Sequence, residues 1–149
     1  MLTGDTGSSE LTQTCDELRV AIGRIARRIK QLYEAGETTF SEASVLSRLD
    51  RAGPATPGAL AAAEHVRPQA IVAIVNALEA RGLVARDPDS TDGRKVLVAP
   101  TDAGRRALAD KGRAVTQRMA GALTAGFSAA EQRQLAEALP LLERLADML

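Results

Sequence analysis

The side chains with the clearest chemistry to offer lie in two places. One is Asp92-Gly93-Arg94-Lys95, a carboxylate, a guanidinium and an ammonium within a polar stretch of turn-forming residues. The other is Arg67-Pro68-Gln69-Ala70, followed by Val72, Ala73 and Asn76, on the outer side of a segment whose inner stripe is apolar. Arginine and lysine are the usual donors to phosphate oxygens, and arginine also suits the strong negative potential of a narrow minor groove. Glutamine and asparagine amides pair bidentately with adenine in the major groove, while Val72 and Ala73 offer apolar contact, for instance with a thymine methyl. These residue types point to recognition of double-stranded DNA. The competing reading is structural: Asp92 and Arg94 form a surface ion pair worth under about 1 kcal/mol, and the amides are solvated.

Catalysis has no comparable set. One histidine, His65, and one cysteine, Cys15, leave no nucleophile paired with a base and no zinc-ligand spacing; no Gly-rich phosphate loop accompanies them. No enzyme activity, cofactor or metal is expected, and a single cysteine excludes an intramolecular disulfide. A redox switch at Cys15 is an alternative, but Asp16 and Glu17 beside it oppose the thiolate such a switch needs. Tyr33, Phe40 and Phe127 read as packing residues.

Composition narrows the partner. At 149 residues the chain suits one domain with an added interface. Nineteen basic residues against nineteen acidic ones give a formal charge of zero, so DNA binding must rest on local charge. Aromatic residues are 2% of the chain, which excludes a base-stacking platform for single strands and leaves Leu, Ile, Val and Ala to build the core. No apolar run approaches the roughly 18 residues of a membrane span, and residues 1–10 have neither a basic nor an apolar leader segment. A cytoplasmic protein with no membrane partner is expected.

The elements that must position these residues follow from periodicity and caps. Residues 1–10 are small and polar and read as a disordered tail. From Leu11 to about Glu34, Leu18, Ile22, Ile25, Ile29 and Leu32 form a seam that suits packing of helix on helix. Thr39 and Glu42 make a capping box for a helix to Ala52, closed by Gly53-Pro54. Thr56-Pro57 opens a short helix over 58–64, and Pro68 opens another, to Arg81, with Ile71, Ile74, Val75 and Leu78 inward. Gly82 ends it, and two strands, 83–87 and 95–99, flank the loop that carries Arg94. Thr101 caps a long helix, and Ser128 with Glu131 caps a last one bearing Leu135, Leu139, Leu142, Leu145 and Leu149. Two helices, a turn and a charged ribbon make a winged helix-turn-helix. One small lobe cannot bury both terminal stripes, so Leu18, Ile22, Ile25, Leu139, Leu142 and Leu145 are expected to pack in a homodimer.

The order of elements, and above all Asp87-Pro-Asp-Ser-Thr-Asp92-Gly-Arg94-Lys-Val-Leu-Val-Ala-Pro-Thr101-Asp-Ala-Gly104, resembles the MarR family of bacterial transcriptional regulators. Leu78-Glu-Ala-Arg81-Gly82-Leu-Val84 is similar to the family's recognition-helix exit, and Thr56-Pro57-Gly-Ala-Leu60-Ala61 to its preceding helix. The resemblance implies a mainly α fold with a β-hairpin wing. It also implies a homodimer joined by its N- and C-terminal helices (11–36 and 101–149) around DNA-binding lobes (37–100), and a repressor on a pseudo-palindromic operator, released by a small-molecule effector. Carried over by position, Arg94 matches the wing-tip arginine and Asp92 its partner, while Gln69, Ala70, Val72, Ala73 and Asn76 take the outward recognition positions. Many members place Ser or Thr and then Arg where this chain has Val72 and Ala73, which shifts affinity towards the wing and the DNA backbone. Two alternatives stand beside this reading: a protein-interaction module without specific DNA reading, and a regulator switched through Cys15.

Overall fold

Three short helices and a hairpin close on one apolar cluster because each presents a narrow stripe of aliphatic side chains. The computed structural model describes residues 5–149. Its elements are α1 (Asp5–Glu34), α2 (Phe40–Ala52), α3 (Pro57–Ala63), α4 (Pro68–Ala80), β1 (Val84–Pro88), β2 (Val96–Pro100), α5 (Asp102–Gly126) and α6 (Ala129–Met148). The fold is mainly α with a two-stranded wing. The chain divides into two compact units, residues 1–111 and 112–149.

In the first unit, Val45, Leu46 and Leu49 of α2, Leu60 and Ala61 of α3, and Ile71, Val75 and Leu78 of α4 are buried together with Leu83, Val84 and Val98. Burial of each large aliphatic side chain stabilises the lobe by about 1.5–3 kcal/mol. β1 and β2 pair antiparallel, with Val84 opposite Pro100 and Pro88 opposite Val96. Each strand is displaced one residue towards the C-terminus from its expected span. Ala55, in the link between α2 and α3, adds a bridge to the outer edge of β2: its N–H donates to Val98 O at 3.1 Å and its carbonyl accepts from Val98 N at 2.8 Å. That pairing covers the edge of β2 and ties the wing to the helical core.

Helix ends are closed as the residue types require. Thr39 and Glu42 form a reciprocal capping box, as do Ser128 and Glu131, and Thr56 Oγ1 accepts from Ala59 N. α4 ends in a Schellman motif: Gly82 N donates to Glu79 O, Leu83 N donates to Leu78 O, and Gly82 takes φ +69°. The same pair of bonds ends α3, from His65 N to Ala62 O and from Val66 N to Ala61 O. There the left-handed position, φ +54°, is held by His65.

α1 starts at Asp5, not at Leu11, so residues 5–10 are helical where a disordered tail was expected; residues 1–4 of that tail lie outside the described residues. Extending an existing helix costs no new nucleus, and the hydroxyls of Thr12 and Thr14 bond back to Ser8 O and Glu10 O one turn earlier. At its other end, Tyr33 meets Phe40 edge to face with ring centroids 5.5 Å apart. Lys111 Nζ donates to Leu32 O at 3.1 Å and lies 5.7 Å from the Tyr33 ring centre, closing the C-terminus of α1 with a cation. In the second unit, α6 carries Pro140 in its interior, a position without a backbone donor for the turn before it.

Candidate nucleic-acid interface

The surface that could meet DNA is built by α3, the turn at His65-Val66, α4 and the hairpin loop. Arg48 on α2 fixes the turn from below: its Nε donates to Glu64 Oε1 at 2.5 Å, its Nη2 donates to Ala63 O, and Ser44 Oγ donates to Glu64 Oε2 at 2.6 Å. Burial raises the Glu64 carboxyl, but the Ser44 hydroxyl and the Arg48 guanidinium outweigh it, and the group sits below its ordinary value. Arg81 performs the same service at the far end of α4, donating to Glu42 Oε2 at 2.9 Å and to Thr38 Oγ1 at 3.0 Å. Both acceptors are buried residues, so the C-terminal end of α4 is fastened to the start of α2, while Arg48 fastens the end of α3.

Ile71, Val75 and Leu78 are fully buried and Ile74 packs partly buried against the same core, so the remaining residues of α4 are turned outward. Gln69, Ala70, Val72, Ala73 and Asn76 are all exposed, as are Arg67 and Pro68 at its start. Arg67 occupies the N-cap position but makes no side-chain cap bond, leaving its guanidinium and the first turn of α4 open. The expected outward set therefore shares one face. Asn76 differs in one respect from a solvated amide: its Oδ1 accepts from Arg86 Nη2 at 2.7 Å. Arg86 also pairs through Nη1 with Glu79. Neither Arg86 nor Glu79 figured among the sequence candidates; alternation along β1 puts Arg86 on the same face as Val84, but only the fold shows which helix it meets.

In the wing loop, Asp89 Oδ1 accepts from both Thr91 N and Thr91 Oγ1, and this pair of donors holds the Asp89 carboxyl below its ordinary value. Asp92 Oδ1 accepts from Arg94 N at 3.1 Å, and Lys95 N donates to Asp92 O at 3.0 Å. Asp92 thus orients the backbone of Arg94, where an interaction with its guanidinium was expected. An aspartate that bonds the amide two residues on builds a tight Asx turn and leaves the following side chain pointing out. Arg94 and Lys95 are exposed, and among the described residues neither closes a salt bridge, although the Lys95 charge helps hold the Asp89 carboxyl down.

The residues expected at a dimer contact are at the surface. Ile22 and Ile25 are 45% and 55% exposed, Leu139 57%, Leu142 and Leu145 37% each, and Leu18 is partly buried. Cys15 is exposed on α1. Among the described residues no cluster of His, Cys, Asp and Glu is placed to hold a metal, and no helix is long and apolar enough to cross a membrane.

Comparison with known proteins agrees with this geometry. Residues 38–96 match the model of the MarR family, a span that runs from α2 to the first residue of β2. An uncharacterized HTH-type transcriptional regulator of Mycobacterium leprae is 36% identical over 88 residues, 59% of this chain; the match spans 62% of that relative's length. A solved structure from Pseudomonas aeruginosa, described as a candidate transcriptional regulator, is 31% identical with a TM-score of 0.82, covering 93% of this chain and 96% of its own. Wild-type MarR of E. coli in its apo form shares the fold at 24% identity and a TM-score of 0.71, covering 85% of this chain and 94% of its own. A winged lobe of this construction, matched in sequence over its helix-turn-helix and in fold over nearly the whole chain, assigns the protein to the MarR family of transcriptional regulators.

Proposed function

We propose that the protein is a homodimeric repressor that binds a pseudo-palindromic operator in double-stranded DNA. The observation that carries DNA binding is the common exposure of the α4 face and of Arg94 and Lys95 at the wing tip. A helix of 13 residues is about 20 Å long at 1.5 Å per residue and suits a major groove. In this reading Arg67, Gln69 and Asn76 meet phosphates and base edges, Pro68, Ala70, Val72 and Ala73 line the apolar part of the contact, and Arg94 enters the adjacent minor groove with Lys95 on a phosphate.

Self-association is supported by α6, in which not one residue is buried although Leu135, Leu139, Leu142 and Leu145 form a stripe. Solvating a stripe of that size in a monomer is unfavourable, and a second copy of the chain supplies the matching surface. We assign residues 11–36 and 101–149 to dimerisation and 37–100 to DNA binding. Release by a small molecule rests on the family resemblance by itself.

Gel shifts with the DNA flanking the protein's own gene test the reading. Binding falls steeply with salt, with a slope of about −0.9 per neutralised phosphate in log K against log salt. Arg94→Ala weakens binding and reduces that slope by about 1. Absence of binding at low salt, or an Arg94→Ala variant as tight as wild type, contradicts it.

A further inference from the structure

The Asn76 side chain is polarised by its neighbours. Arg86 Nη2 donates to Asn76 Oδ1 at 2.7 Å while Nη1 of the same guanidinium pairs with Glu79. A guanidinium carries donors only, so the amide atom facing it must be the oxygen; the flipped amide would set N–H against N–H. Asn76 and Glu79, three residues apart, lie on neighbouring positions of α4, and Arg86 of β1 spans both. Glu79 anchors the guanidinium from the far side, so Arg86 has an ionic reason to stay. Asn76 Nδ2 has no acceptor among the described residues, although the residue is exposed. What α4 offers at this position is a pair of free donors beside an oxygen already held by a cation.

We infer that Arg86 is a specificity-determining positioning residue, which makes Asn76 read guanine where a free asparagine would read adenine. The inference rests on the DNA-binding reading above. Adenine shows the major groove an N7 acceptor beside an N6 donor, and a free carboxamide matches both. With Oδ1 held towards the Arg86 guanidinium, it has one lone pair left and is turned away from the N6 amino group, so the acceptor half of that pair is weakened while both donors stay free. Guanine shows N7 and O6, two acceptors, which suit the two hydrogens of Nδ2. The charge on Arg86 adds to the effect, because a hydrogen bond from a cation to the amide oxygen polarises the amide and strengthens its N–H donors.

Selection from a random duplex pool with the full chain tests this, using wild type, Arg86→Ala and Asn76→Asp. Wild type enriches guanine at one position of the motif. Arg86→Ala frees Oδ1, and the preference at that position moves to adenine by about tenfold in relative affinity while the remaining positions keep theirs. Asn76→Asp still gives Arg86 an acceptor but has no donor left, and the guanine preference at the same position disappears. Adenine at that position in wild type, or a uniform loss of affinity in Arg86→Ala with the motif unchanged, overturns the assignment alone. A wild-type pool with no enriched motif overturns the DNA-reading function beneath it.

Discussion

Gly104 packs directly on Leu83: a Cβ built on it would stand 2.0 Å from the Leu83 carbonyl oxygen and 3.0 Å from the carbonyl carbon. The contact is backbone on backbone, so no side-chain rotation relieves it. Thr101 draws the two segments together, with its N–H on Leu83 O, its Oγ1 donating to Gly82 O at 2.6 Å, and the same Oγ1 accepting from Gly104 N. This is the physical content of the Thr-x-x-Gly spacing at the start of α5: it locks the end of the wing to the end of α4. Gly104→Ala is therefore expected to destabilise the first unit by about 2–3 kcal/mol, the scale of overpacking against a rigid neighbour. Urea unfolding measures it, and a loss below about 0.5 kcal/mol would show that α5 can move away freely.

The two Schellman motifs predict opposite effects. Gly82 has nothing within 4 Å of its would-be Cβ, so Gly82→Ala costs only the left-handed conformation, about 1 kcal/mol. His65 already bears that strain, and His65→Gly is expected to stabilise by up to about 1 kcal/mol. Thermal melts of the two variants should move to opposite sides of wild type.

Glu64 gives the turn a pH dependence. Burial raises its carboxyl, the Ser44 and Arg48 bonds together outweigh that, and the folded value lies below the ordinary 4.5. A carboxyl lowered on folding contributes stability that is fully present above its unfolded value and lost as pH falls through the folded one. Glu64→Gln should thus be less stable than wild type at pH 7, and the difference should shrink as pH falls from about 5 towards 3. A difference independent of pH across that range would place the contribution of Glu64 in packing.

Self-association is open to a charge placed in the α6 stripe. Leu139→Glu puts a carboxylate on a surface that the proposed dimer desolvates, and self-association should weaken by at least about tenfold. Sedimentation equilibrium reads the change, with circular dichroism confirming that helix content is kept. Sedimentation identical to wild type would remove Leu139 from the contact.

What the sequence disclosed was local. The boxes at Thr39/Glu42 and Ser128/Glu131, the cap at Thr56 and the glycine at position 82 act over three or four residues, and each is where its residue types place it. The stripe of Ile71, Val75 and Leu78 likewise fixed the outward face of α4. Partners distant in sequence were not legible. Ala55 is one small residue in a link, and nothing in its type announces a bridge to Val98. Arg86 looks like any solvated strand residue until the hairpin is laid against α4, and Asp92 beside Arg94 suggests an ion pair until the turn directs its carboxylate to the backbone. The early start of α1 was hidden because Gly7, Ser8 and Ser9 favour a helix weakly and take part by extension of it.

The most direct test of the central claim is the motif that wild-type protein selects from random duplex DNA. A twofold dimer that reads one half-site with each α4 predicts an inverted repeat whose half-sites are centred about 10 base pairs apart, or a multiple of that. A pool without enrichment, or a single half-site with no inverted copy, would contradict it.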